Sequence, residues 1–302
     1  MTNEQRLKNL QMPAGRVDVV LDTDAYNEID DQFAISYLLR SSDKLNTVAL
    51  YAAPFFNKNS DGPADGMEKS YKEILKLLPL IGVKKEVYKG SEKYLDDENT
   101  PVLSDAAYDL AERVKKYSPE NPLYVVAIGA ITNIASAILL NPEVAENTVV
   151  IWLGGHALDY HDTAEFNMKQ DIAAARVIYN SGVPYVQLPC CGVVSSFTLS
   201  KPELEYWLKG KNPLADYLSE NSITAAESYA SGKPWTRVIW DVTAVAWLLN
   251  EDNRFMYSRI IDAPIPDYGN KYKENPKGYP QSYVYYIKRD ALMNDLIKKL
   301  LD

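Results

Sequence analysis

The chain has 302 residues, 46% of them hydrophobic, with a net charge of −9 and a pI near 5.0. That content supports a large core, and the length suits one α/β unit as well as two smaller ones. The acidic balance argues against a nucleic-acid polymer or an anionic membrane as partner, since either needs a basic face; a divalent cation or a small neutral molecule fits better.

The first sixteen residues are polar and mixed in charge, without the apolar segment of a secretory leader. Residues 17–21 then read as a buried strand and 30–40 as an amphipathic helix. Strand 47–53 and helix 67–78 follow, then helix 104–116. Strand 123–128 leads to helix 132–140, stopped near Asn141-Pro142. Strand 148–153 ends at Gly154-Gly155, helix 171–180 closes at Ser181-Gly182, and 183–188 is a strand again. Short apolar strands alternating with helices predict a Rossmann-like, mostly parallel open sheet flanked by helices. From about Lys201 the pattern is mainly helical, with helices at 202–208, 214–230 and 241–249, a late strand at 284–287 and a closing helix at 290–301. No repeat, linker or low-complexity tract interrupts the chain, so residues 1–302 are expected to form a single domain.

No run reaches the ~18 apolar residues of a membrane span. The two cysteines, Cys190-Cys191, are neighbours. A bridge between them would be strained, so they read as reduced thiols near a strand end, which favours a cytoplasmic location. With His156 and His161 the only histidines, a zinc cluster is not expected.

Ligands of an open parallel sheet bind beyond the carboxyl ends of its strands. After the first strand come Asp22, Asp24, Glu28, Asp30 and Asp31, five acids within ten positions. Carboxylates this close need a cation, a proton or a helix N-terminus to coexist. Three readings compete. A helix N-terminus explains Asp30 or Asp31, but not Asp22 and Asp24 as well. A hard-metal site uses the aspartates as oxygen ligands. A phosphatase-like Asp-x-Asp pair would attack phosphorus. Spacing alone does not separate the last two.

Later segments bear on the choice. Asp22-Thr23-Asp24 with Asp30-Asp31 is followed by Ile128-Gly129-Ala130-Ile131-Thr132-Asn133. Glu165-Phe166-Asn167 with Asp171 comes next, then Trp240-Asp241 opening an Ala/Val-rich helix. In that order, from about Val17 to Leu249, the motifs resemble the nucleoside hydrolases, the inosine–uridine-preferring N-ribohydrolase family. The resemblance implies one Ca²⁺ held by Asp24, Asp31, Asp241 and the backbone carbonyl of Ile128, with Asp22 in support. It implies Asp24 as general base toward a water. Asp30, Glu165, Asn167 and Asp241 would bind the ribose of a small-molecule nucleoside. It also implies a homodimer or homotetramer.

Three departures from the family pattern stand out. The link inside the acidic motif, residues 25–29, is two residues longer, bringing Asn27 and Glu28 over the expected cation. Trp240 stands where many members have a histidine that protonates the departing base, leaving His156, His161, Tyr229 and Arg237 as candidates for that task. The Gly-Asn expected after the second strand is replaced near Pro54-Phe55, with Asn57 following. Tyr283, Tyr285 and Tyr286 read as sheet or subunit packing rather than base stacking. Two alternatives to a hydrolase remain: a ribose- or nucleoside-binding protein without turnover, and a haloacid-dehalogenase-type phosphatase. The second leaves Glu165-Phe166-Asn167 unexplained.

Overall fold

A computed structural model describes all 302 residues. The elements in chain order are α1 (Asn3–Asn9), β1 (Val17–Thr23), α2 (Asp30–Arg40), β2 (Leu45–Ala52), α3 (Pro63–Ile81), β3 (Val87–Lys89), α4 (Asp105–Arg113), β4 (Leu123–Ala127), α5 (Thr132–Leu140), α6 (Glu143–Asn147), β5 (Thr148–Leu153), α7 (Phe166–Gln170), α8 (Ile172–Ser181) and β6 (Tyr185–Leu188). They continue with β7 (Thr198–Ser200), α9 (Lys201–Trp207), α10 (Pro213–Ala230), β8 (Thr236–Val238), α11 (Val242–Trp247), β9 (Met256–Asp262), β10 (Ile265–Pro266), β11 (Tyr272–Lys273), β12 (Pro280–Ile287) and α12 (Arg289–Leu301).

The central sheet has eight strands in the order β3-β2-β1-β4-β5-β6-β12-β9. All neighbours pair in parallel except β12 with β9. Val20 and Leu21 of β1, Val125 and Val126 of β4, and Val150 and Ile151 of β5 are all fully buried. Such strands are apolar on both faces because helices cover both. One apolar cluster packs α2, α3, α11 and α12 on one face, and a second packs α4, α5 and α8 on the other.

The expected parallel sheet is therefore present, and its helices lie within a few residues of their expected places. From about Thr198 the expected helices are present and the late strand expected at 284–287 is the end of β12; β7 to β11 are strands that pattern reading did not place. β9 and β12 extend the main sheet, while β7 with β8 and β10 with β11 form two small antiparallel pairs. The polar N-terminus is also ordered. Thr2 caps α1, and Arg6 donates from Nε to the Gly182 carbonyl at 2.8 Å.

The strand order reverses direction between β1 and β4. Diverging connections on either side open a crevice at that point, beyond the carboxyl ends of both strands. The segment from Asp24 to Asp31 follows β1, and Ile128-Gly129 follows β4.

Candidate active site

One pocket sits in this crevice. It is lined by Asp24, Asn27, Glu28, Asp30, Asp31, Ile128, Leu153, His156, Glu165, Phe166, Asn167, Cys190, Cys191, Trp240 and Asp241. Residues separated by more than two hundred positions thus share one wall.

The acids arrive on three elements. Asp24 leaves the end of β1. Asp30 and Asp31 open α2, and Asp241 is the N-cap residue of α11. Neither α2 nor α11 has a side-chain cap, so Asp241 keeps its carboxylate for the pocket. Two helix N-termini therefore face the acids and partly offset their charge. Gly129 lets β4 pass close behind: a Cβ there would lie 3.2 Å from the Asp24 Cβ and 3.0 Å from the Ala53 Cβ.

Carboxylate oxygens of Asp30, Asp31 and Asp241 all lie within 4.8 Å of one another, and all three residues are buried. At an effective dielectric near 20, each ionised pair at that distance repels by roughly 3 kcal/mol. Three pairs together approach the whole stability of a typical domain. Thr23 donates to Asp31 at 2.5 Å, but both oxygens of Asp24 and one oxygen each of Asp22 and Asp30 lack a partner. Buried polar atoms are rarely left so. Burial pushes Asp22 and Asp30 up to about 7, and burial with neighbouring acids raises Asp24, Asp31 and Asp241 well above the carboxylate range. The cluster is thus a ready site for a hard, oxygen-seeking cation.

Other acids are spoken for. Asp22 accepts from Asn133 Nδ2 at 2.7 Å behind the pocket, and the same Asn133 accepts from the Ser91 N–H at 2.7 Å. Asn133→Leu would orphan both groups in the interior. It is expected to cost about 3 kcal/mol, read as a lower urea midpoint with unchanged slope. Glu165 is the N-cap of α7 and takes the backbone N–H of Gly155, Asn167 and Met168 at 2.8–3.0 Å. Gly155 reaches Glu165 from a left-handed conformation, φ +74°, where a side chain would be strained. Asn167 Nδ2 bridges the carbonyls of Ile128 and Leu153 at 3.1 and 3.0 Å, tying the ends of β4 and β5 together. Asp171 caps α8 and holds Leu95 and Thr132, outside the pocket lining.

The longer link after β1 forms a partition. Asn27 and Glu28 line the pocket and also a second, polar cavity of about 600 Å³. Asn57 donates to Asn27 Oδ1 at 2.5 Å, and Glu28 pairs with Arg237 at 2.7 Å. Asn57, Tyr229 and Arg237 belong to this second cavity, not to the acidic pocket. His156 lines the acidic pocket with Trp240. Its Nδ1 accepts from the Cys191 N–H at 3.3 Å, and burial lowers its pKa. His161 is largely exposed and pairs with Asp162.

Sequence reasoning did not assign Phe166, Leu153, Cys190 or Cys191 to the site. The cysteines are free, directly follow Pro189 at the end of β6, and stand in the pocket wall. Applying the strand-end rule to β6 as well as to β1, β4 and β5 would have found them.

An acidic pocket at the switch point of this sheet defines an α/β protein of the nucleoside hydrolase type. The chain belongs to the inosine-uridine preferring nucleoside hydrolase family, whose model matches residues 19–272. It is 30% identical over 164 residues to the non-specific ribonucleoside hydrolases RihC of Salmonella paratyphi B and Salmonella typhi. That match covers 53% of this chain and 51% of theirs, so the chain spans about half the length of the curated relatives it matches. The purine-preferring ribonucleoside hydrolase of Gardnerella vaginalis shares the fold with a TM-score of 0.76 at 19% identity, over 94% of this chain and 98% of that one. The inosine-uridine preferring nucleoside hydrolase of Bacillus anthracis gives 0.69 at 16% identity, over 94% and 99%. The type III effector protein XopQ, solved with adenosine diphosphate ribose, gives 0.68 at 16%, over 99% and 96%.

Proposed function

We propose that this protein hydrolyses the N-glycosidic bond of a ribonucleoside or related ribosyl compound, releasing ribose and base, with one Ca²⁺ in the acidic pocket. The observation that carries this reading is the buried, mutually close set of Asp30, Asp31 and Asp241, with Asp24 in the same pocket and both of its oxygens short of a hydrogen-bond partner. The donors are all oxygens, which suits Ca²⁺ and not zinc. Asp24, Asp31, Asp241 and the Ile128 carbonyl would hold the ion, with Asp22 behind them. When bound, such a cation lowers the pKa of a water and neutralises the cluster.

The chain's own groups do the rest. Asp24, with both oxygens unpartnered, takes the proton of the attacking water as general base. The water oxygen adds to the anomeric carbon as the glycosidic bond lengthens and the sugar gains oxocarbenium character. Asp30, Glu165, Asn167 and Asp241 fix the ribose hydroxyls. Buried groups that expect a hydroxyl reject sugars lacking one. Trp240 offers a face for the base and no useful proton.

The named activity of the RihC relatives supports this reading. A second reading is a ribose or nucleoside binder without turnover; XopQ, which shares the fold, was solved as a complex with adenosine diphosphate ribose. The retained Asp24 favours the first, since a binder has no need to activate water. The proposal includes a cytoplasmic protein of one domain. It also includes a homodimer or homotetramer, for which the exposed, stacked rings of Tyr257, Tyr285 and Tyr286 on β9 and β12 offer a surface.

The test is ribose release from a panel of purine and pyrimidine nucleosides, with and without chelator. Chelator-sensitive release is expected from at least one. Ribose from none would sink the hydrolase, tight binding without release would select the binder, and release of phosphate from phosphorylated compounds would select the phosphatase.

A further inference from the structure

Glu28 is the one acid of the first motif that neither the cation nor the sugar uses above. It pairs with Arg237 at 2.7 Å, and the two differ sharply in exposure: the Arg237 side chain is 11% exposed and that of Glu28 50%. The Nε of Arg237 has no partner. The mostly buried guanidinium faces Asp30 and Tyr229 as well as the half-exposed Glu28 on its loop, and keeps its Nε–H in reserve. Its planar fork matches a carboxylate through two parallel N–H donors. Glu28 sits where a ligand carboxylate would sit.

The position of the pair matters. Glu28 faces both cavities, and Arg237 faces the second, along with Gln32, Lys58 and Tyr229. An anion is repelled from the acidic pocket itself, so it must lie beyond Glu28. Trp240 has no useful proton. His156 Nδ1 accepts from the Cys191 N–H, which leaves Nε2–H as its donor, a weak acid in the neutral ring that burial favours. Arginine is permanently charged, so it stabilises negative charge with no proton transfer.

We propose that Arg237 determines leaving-group specificity by binding a carboxylate carried by the departing base, with Glu28 swinging aside to admit it. This rests on N-ribosyl hydrolysis in the acidic pocket. The substrate class is a ribosyl compound whose base bears a carboxylate on the side remote from the sugar. The bond between the anomeric carbon and the base nitrogen breaks, and its electron pair leaves with the base. The water oxygen bonds to that carbon and its proton passes to Asp24. Arg237 holds the departing carboxylate throughout.

Matched pairs test this: nicotinamide riboside against nicotinic acid riboside, and uridine against 5-carboxyuridine. The kcat/KM for ribose release and the Kd by calorimetry are measured for wild type, Arg237→Gln and Glu28→Gln, with melting curves to verify folding. Wild type should favour the carboxylate member by about tenfold or more, the worth of a charge-assisted hydrogen bond. The preference should fall to about one in Arg237→Gln and grow in Glu28→Gln, where the competing carboxylate is gone. A wild-type ratio near one in both readouts, or a ratio that Arg237→Gln leaves unchanged, overturns the proposal. Neutral nucleosides hydrolysed with no carboxylate preference would overturn it and leave the hydrolase standing. The expected Kd ratios with no ribose released from any compound would do the reverse.

Discussion

Asp24→Asn should lower ribose release by about three orders of magnitude, within the 10²–10⁴ range of a positioned general base. The substitution keeps the shape of the side chain and removes its ability to take a proton. Asp24 is 1% exposed, and both its oxygens lack partners inside the protein, so the substitution breaks no protein hydrogen bond; because Asp24 is also a proposed cation ligand, turnover is measured at saturating Ca²⁺. The sugar contacts assigned to Asp30, Glu165 and Asn167 remain. Binding of free ribose, measured by calorimetry, should therefore weaken far less than kcat falls. Turnover within a few-fold of wild type would remove Asp24 from the role of base. An equal collapse of binding and turnover would recast it as a sugar or cation ligand alone.

Adding Ca²⁺ should raise the melting temperature at pH 7.5 and do almost nothing near pH 5. The sign follows from the raised carboxylates. Burial lifts Asp22 and Asp30 to about 7 in the cation-free protein, and holds Asp24, Asp31 and Asp241 well above the carboxylate range. Between about pH 4 and 7 the folded chain then binds more protons than the unfolded chain. Stability from these groups is present below the unfolded pKa and lost as pH rises through the folded one. A cation competes with those protons, so its benefit grows as they leave. At a hundred times Kd it adds about 2.7 kcal/mol, which for a chain near this size is about 5–10 °C. Comparing each pH with and without Ca²⁺ cancels the titration of all other groups. Identical melting at pH 7.5 with and without the ion would remove the cation from the pocket.

Much of this was legible before any coordinates. Val19 to Leu21, Leu123 to Ile128 and Val149 to Leu153 are apolar without alternation, which marks strands buried on both faces. The acids directly after the first of these could not be explained as helix caps alone. β9 was not legible. Its Met256-Tyr257-Ser258-Arg259-Ile260 mixes apolar and charged residues, because it is an edge strand that few elements cover. The role of Glu165 was only half legible: its type suggested a sugar contact, while its three backbone donors show a helix cap.

The sequence by itself determined the chemistry available, a parallel α/β sheet with oxygen donors crowded after its first strand, because residue type and local periodicity are properties of short segments. Only the tertiary structure decided which groups share the pocket. It brought Asp241 to Asp30 and Asp31 across 210 positions, moved Asn57 and Tyr229 into a neighbouring cavity, and set Arg237 against Glu28. Those meetings depend on strand order and on the helix ends that converge at the reversal between β1 and β4. Strand order arises from long-range packing, which no local stretch of sequence encodes.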